Sequence, residues 1–248
     1  MTAEKTVLVV GGTGRTGGRV LQQLLSRGVN VRAIVRSAQR LPAGVAENLR
    51  LTVVEEDLLS LGDANLPLHV TGCDAVISCL GHTLTVRGVL GPPRYLVSQA
   101  TKRLCRAIEA TKPAVPVRFI LMTSVSVNRP GRLDIRRGTL ERAGLVLLRG
   151  LVPPARDNQR AVDFLCGEVG EGNPFVQWVV VRPDTLLDGD VTKYVLHEGI
   201  VSSLAKPDST NMANVAHFMC ELATDSTVWN DWKGGLPVIV NAATQAGV

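Results

Sequence analysis

The residues best suited to chemistry lie first in Gly11-Gly12-Thr13-Gly14-Arg15-Thr16-Gly17-Gly18, with Gly11, Gly14 and Gly17 at Gly-x-x-Gly-x-x-Gly spacing. Without Cβ atoms at those places a chain can turn sharply, bring its backbone against a pyrophosphate, and let a following helix pack closely. The N–H groups of a first helical turn, at the positive end of the helix dipole, then face phosphate oxygens. The alternative is a turn with no ligand. Further on, Arg36 and Arg40, with Arg15 in the glycine turn, offer guanidinium groups that can grip a phosphate bidentately. A site for an unphosphorylated ribose usually has Asp or Glu where Arg36 stands. The missing carboxylate favours NADP(H) over NAD(H), against the bland reading of solvated arginines.

These residues need particular elements around them. Thr6-Val7-Leu8-Val9-Val10 reads as a strand, Val20, Leu21, Leu24 and Leu25 have helical spacing, and Gly28 sits where that helix would end. Further strands are expected at 29–35, 51–54, 73–81, 117–124, 175–182 and 238–240. Helices are expected at 95–111, 156–169 and 211–223, with a short surface helix at 229–232. Strands alternating with helices predict an α/β fold, a doubly wound Rossmann-type parallel sheet in the order 3-2-1-4-5-6-7. The chain reads as one domain over 1–248, with substrate-facing segments at about 125–160 and 183–210, the latter a small C-terminal lobe. Parallel strands present ligand sites at their carboxyl ends, so Cys79, Leu80 and Gly81 should line the cofactor.

Composition narrows the classes. Aromatic residues make up 4%, too few for a platform that stacks bases, and the 27 basic against 22 acidic residues are mostly dispersed. Nucleic acid is therefore not the expected partner. Arginines do concentrate at Arg129, Arg132, Arg136, Arg137, Arg142, Arg149, Arg156 and Arg160. That is either solvated surface or a mobile cover that draws in an anionic small-molecule substrate. Five cysteines without a Cys-x-x-Cys pair read as free thiols in a reducing compartment. With no signal peptide and no bilayer-length apolar run, the expectation is a cytoplasmic protein, monomer or homodimer, without a membrane partner. The four histidines make no metal spacing.

The glycine spacing, with Thr13, Arg15 and Thr16 inside it, resembles the atypical branch of the short-chain dehydrogenase/reductase superfamily, which includes NmrA-like proteins and biliverdin/flavin reductases. The resemblance implies an NAD(P)-binding fold. It also implies that Asp57 and Leu58, after the third strand, lie against adenine; Asp57 could equally cap a helix. Arg182-Pro183 resembles the segment that touches the nicotinamide, and Thr123-Ser124 the pair at the catalytic edge. Classical members use Tyr-x-x-x-Lys, but here Tyr95 is followed four residues on by Gln99, and Tyr194 by Glu198. Ser124 is the polar candidate that remains, positioning the acceptor, with Asp184 and Tyr194 as further candidates; Asp184 could equally be a surface cap. The expected function is NADPH-dependent hydride transfer to a flavin, quinone-like or enone acceptor. The alternative is a non-catalytic NADP-binding redox sensor similar to NmrA.

Overall fold

The computed structural model describes residues 4–82, 94–131, 144, 152–203 and 206–242. Its strands are β1 (Thr6–Val10), β2 (Asn30–Val35), β3 (Leu51–Glu55), β4 (Ala75–Ser78), β5 (Val117–Met122), β6 (Val176–Pro183), β7 (Thr185–Leu187), β8 (Tyr194–His197), β9 (Ser209–Asn211) and β10 (Val238–Asn241). Eight of them form one sheet in the order β3-β2-β1-β4-β5-β6-β10-β8. Pairing is parallel from β3 to β10, and β8 closes the edge antiparallel. The expected order holds through seven strands. The eighth, β8, comes from the segment read as part of the substrate lobe, and β7 and β9 pair beside it as a separate two-stranded ribbon.

Alternation along the strands divides the core into two layers. Leu8, Val10, Val76, Phe119 and Leu121 face one set of helices, while Val7, Val9, Ala75, Ile77 and Ile120 face the other. Both faces being covered explains the unbroken apolar runs of the central strands. The first layer meets α2 (Leu66–Val70), α3 (Leu96–Thr111) and α4 (Pro153–Phe164), and the second meets α1 (Arg15–Ser26), α5 (Met212–Thr224) and α6 (Ser226–Trp232). Each Val or Leu so buried contributes roughly 1.5–3 kcal/mol.

Helix ends follow local chemistry. Gly28, at φ 71°, ends α1 in a Schellman motif, its N–H reaching Leu25 O while Val29 N–H reaches Leu24 O. Helix α4 starts three residues earlier than expected because proline suits the first helical position, where no N–H is needed. It ends in a π turn over Leu165–Val169. The helix expected on the surface at 229–232 begins at Ser226, capped by the Asp225 carboxylate, and Trp229 is buried with its indole N–H on Gln177 Oε1 at 3.1 Å. Of the expected arginine-rich cover, Arg132, Arg136, Arg137, Arg142 and Arg149 lie outside the described residues, as does 83–93 of the preceding loop. Arg129 is no open cover residue: it pairs with Glu171 at 2.9 Å, donates to Gly234 O, and stacks on Trp178.

Candidate functional site

The strand order reverses between β1 and β4, and a ligand crevice forms where an open α/β sheet does this. Gly11 makes the approach there. Its φ is +80°, and a Cβ on it would lie 2.6 Å from the Cys79 carbonyl carbon and 2.8 Å from Leu80 N. Gly17 packs against the same turn so closely that a Cβ would stand 2.1 Å from Gly11 O. Glycine is therefore required at both places by contacts within the protein. Gly14 differs: it is exposed, and its only near neighbour would be Gly11 O at 3.2 Å.

Gly14 is also the N-cap of α1 and, lacking a side chain, makes no capping bond. The first closing bond runs from Gly18 N–H to Gly14 O at 2.8 Å, and among the described residues the N–H groups of Arg15, Thr16 and Gly17 find no backbone acceptor. Orphan donors at the positive helix end, on a turn narrow enough for a backbone to touch a ligand, fit a pyrophosphate. A cavity of about 760 Å³ opens beside this turn, between Thr13, Gly14, Arg15 and Pro42 on one side and Asp188 to Val191 on the other.

Arg15 pairs with Asp188 at 3.4 Å, and Arg19 reaches the same carboxylate. Arg36 and Arg40, past the end of β2, are exposed, and among the described residues neither side chain makes a hydrogen bond or ion pair. Their charge is available to an anion. Past β3, Asp57 is engaged as a turn cap, accepting from Leu59 N–H at 2.8 Å, and Leu58 is buried within the α3 layer. That bond accords with the capping alternative for Asp57, and Leu58 packs among apolar neighbours. At the end of β4, Cys79 is buried, its thiol pushed far up by desolvation, and it is the backbone of Cys79 and Leu80 that meets the glycine turn; Gly81 is exposed.

Past β5, Thr123 is buried and its N–H donates to Val181 O at 2.9 Å. Ser124 is half-buried, its Oγ 2.7 Å from Ser126 Oγ. Pro183 ends β6, and its carbonyl accepts Val125 N–H at 3.1 Å, tying the two strand ends together. The other two catalytic candidates have partners of their own. Asp184 is taken up inside the lobe, accepting from Ser202 Oγ and from Asp208 N–H at 3.1 Å, which matches its capping alternative. Tyr194 begins β8, three strands from β5, about 14 Å away at ~4.8 Å per strand. Its hydroxyl meets His217 Nδ1 at 3.0 Å, and burial raises its pKa first, with Glu221 adding to that. The structure does not bring it to Ser124.

Two features escaped the sequence reading. Arg182, 2% exposed, donates to the carbonyls of Leu236, Val127 and Glu198, holding three loops to the end of β6. His82, directly after Gly81, has Nε2 at 2.9 Å from an oxygen of Asp157 on α4, and both side chains are almost wholly buried. Asp157 also accepts the N–H groups of Val97 at 2.7 Å and Ser98 at 3.1 Å, and the Ser98 hydroxyl. With 75 positions between them, no local spacing announces the His82–Asp157 pair. Its one signal was the place of His82 past the fourth strand.

A family described as NAD(P)H-binding matches residues 11–226. The chain is 26% identical over 212 residues to the chloroplastic Arabidopsis thaliana protein At2g34460, covering 83% of this chain and 74% of that one. It is 34% identical over 149 residues to Protein TIC 62 of the same plant, also chloroplastic; that match takes in 52% of this chain and about a fifth of TIC 62, 22%. Among solved structures, a short-chain dehydrogenase/reductase of Veillonella parvula in complex with NADP superposes with a TM-score of 0.68 at 12% identity, over 97% of this chain and 96% of that one.

Proposed function

This chain belongs to the NAD(P)H-binding family, and from that premise we propose that it is an NADPH-dependent reductase of the atypical short-chain dehydrogenase/reductase type, acting on a conjugated small acceptor such as a flavin, a quinone or an enone. The observation that carries the reading is the open N-terminus of α1 on a glycine turn at the β1/β4 reversal, with Arg36 and Arg40, past the end of β2, without a side-chain partner among the described residues. Residues Gly11 to Gly17 would hold the pyrophosphate. Arg36 and Arg40, with Arg15 released from Asp188, would hold the 2′-phosphate; Thr123 and Pro183 would flank the nicotinamide. When bound, the reduced nicotinamide supplies hydride. Ser124 would orient the acceptor through a hydrogen bond, a contribution of about 1 kcal/mol for a neutral pair. The free thiols support a cytoplasmic location; among the described residues no helix is long and apolar enough to cross a membrane. The plant relatives, both chloroplastic by name, are the reason to test that location directly.

The second reading, an NADP-binding redox sensor similar to NmrA, is favoured by one observation. Neither tyrosine has a lysine four residues on; Tyr95, at the N-cap position of α3 without a capping bond, lies beneath Arg160, and Tyr194 is held by His217. Incubating the protein with NADPH and flavin mononucleotide, menadione or an enone separates the two. Loss of reduced-nicotinamide absorbance with any acceptor supports the reductase; tight NADPH binding without turnover supports the sensor.

A further inference from the structure

The reductase reading leaves a gap. An acceptor that takes a hydride must also take a proton, and the Tyr/Lys pair that supplies one elsewhere is missing here. The buried pair on the far side of the cofactor edge from Arg36 has the chemistry to fill it. Asp157 is wholly buried and bonded by two backbone N–H groups, a hydroxyl and an imidazole. Such a carboxylate is an acceptor only, so the His82 nitrogen facing it, Nε2, carries a proton. This fixes the ring and its tautomer, the arrangement by which a carboxylate prepares a histidine for proton transfer through its other nitrogen. Among the described residues Nδ1 has no partner.

His82 and Ser124 also follow neighbouring strands. Ser78 of β4 is in register with Leu121 of β5, so His82, four residues past Ser78, and Ser124, three past Leu121, both emerge at the carboxyl ends of neighbouring strands. Helix α4 is docked to that edge twice. Asp157 takes His82, and Gln159 makes a two-way contact with the Asn128 backbone, each bond 2.9 Å long, just beyond Ser124 and Ser126. A buried carboxylate whose work was only to cap α3 would need the two N–H groups of Val97 and Ser98. It would not need a histidine from the end of β4.

We propose that His82, oriented by Asp157, is the proton donor of the reaction, acting through Nδ1 on an acceptor held at Ser124. This rests on the reductase reading. In the step, the acceptor gains a hydride with its two electrons at one atom, and the bound dinucleotide is oxidised by the same two electrons. The acceptor atom left with the negative charge takes the Nδ1 proton of the imidazolium. His82 is then neutral, still donating from Nε2 to Asp157, and regains its proton from solvent. Asp157 is a positioning residue throughout.

His82→Gln tests this, since a glutamine amide can still donate to Asp157. Turnover of NADPH with menadione should fall roughly 100-fold, within the range for loss of a general acid. NADPH affinity and melting temperature should stay close to the parent's. Asp157→Asn should also lose turnover, and if it fails to fold, His82→Gln decides alone. A readout independent of turnover is the histidine ¹⁵N spectrum of the NADP⁺ complex, which cannot reduce menadione. Adding oxidised menadione should move the His82 Nδ1 resonance while Nε2 stays protonated. His82→Gln turning over within about twofold of the parent, or an Nδ1 resonance that menadione leaves in place, overturns the proposal while the reductase reading stands. A parent protein inert toward every acceptor overturns both.

Discussion

Two helices, α1 and α3, begin at the same edge of the sheet, and their first turns are finished in opposite ways. Each presents orphan N–H groups and the positive end of a dipole, and in neither does the N-cap side chain, Gly14 or Tyr95, supply a cap. At α3 the protein fills the place itself, with Asp157 carried in from α4 to accept from Val97 and Ser98. At α1, among the described residues, no carboxylate is carried in to cap the first turn. Asp188 is taken by Arg15 and Arg19 at the rim. The same electrostatics therefore makes a structural joint where an anion is built in, and leaves donors open to an anion where it is left out.

The largest effect is expected where the built-in anion is removed. Asp157→Ala strands two N–H groups, a hydroxyl and His82 in the interior, and should lower stability by roughly 3–5 kcal/mol. For a domain of this size that is a drop of roughly 6–20 °C in Tm, read by thermal unfolding. A change of a degree or two would mean that α3 does not need its cap, and the contrast between the two helices would break.

Closing the open end comes next. In Gly17→Ala the new Cβ would lie 2.1 Å from Gly11 O, so turn and helix must move apart. Overpacking of that kind costs on the order of 1–3 kcal/mol, and NADPH affinity, read by titration, should fall at least tenfold with it. Unchanged affinity would show that the turn does not hold the dinucleotide.

Arg36→Ala leaves the turn intact and removes one charge-assisted grip, about 1.5–3 kcal/mol. NADPH should bind about tenfold or more weakly while NADH is nearly unaffected; equal losses would mean Arg36 does not read the 2′-phosphate. The smallest effect belongs to the rim. Asp188 is 67% exposed, so Asp188→Asn should release Arg15 and Arg19 with a change of only ~0.2–1 kcal/mol. NADPH affinity should rise up to about fivefold at low salt, and the gain should fade as salt is added. Weaker binding in this variant would instead make the Asp188 carboxylate a ligand-side contact.

The open end was legible because its information is local. Gly11, Gly14, Gly17 and Gly28 fall within 18 residues of one another, between a β-branched strand and a helix whose apolar positions repeat with the helical period. The filled end was not legible. Asp157 lies about 60 residues beyond Val97 and 75 beyond His82, distances over which no periodicity speaks. For Asp57 and Asp184 the sequence left a cap and a site role open, and neighbouring N–H groups took both carboxylates. Tyr194 could not be placed, because β8 is a four-residue edge strand whose register depends on β10, more than 40 residues later.

By itself, then, the sequence determined the strand order through seven strands, the glycine turn into α1 and the arginines that follow β2. These follow from side-chain period, glycine sterics and the single hand of parallel crossovers, which act within one βαβ unit at a time. The tertiary structure decided which polar groups are already spoken for. A buried carboxylate or phenol takes whichever donors the packed helices bring to it, since leaving one unpaired costs more than almost any local preference. Hence Tyr194 went to His217, Asp184 to its own lobe and Asp157 to His82, the histidine past β4 that the sequence had only counted.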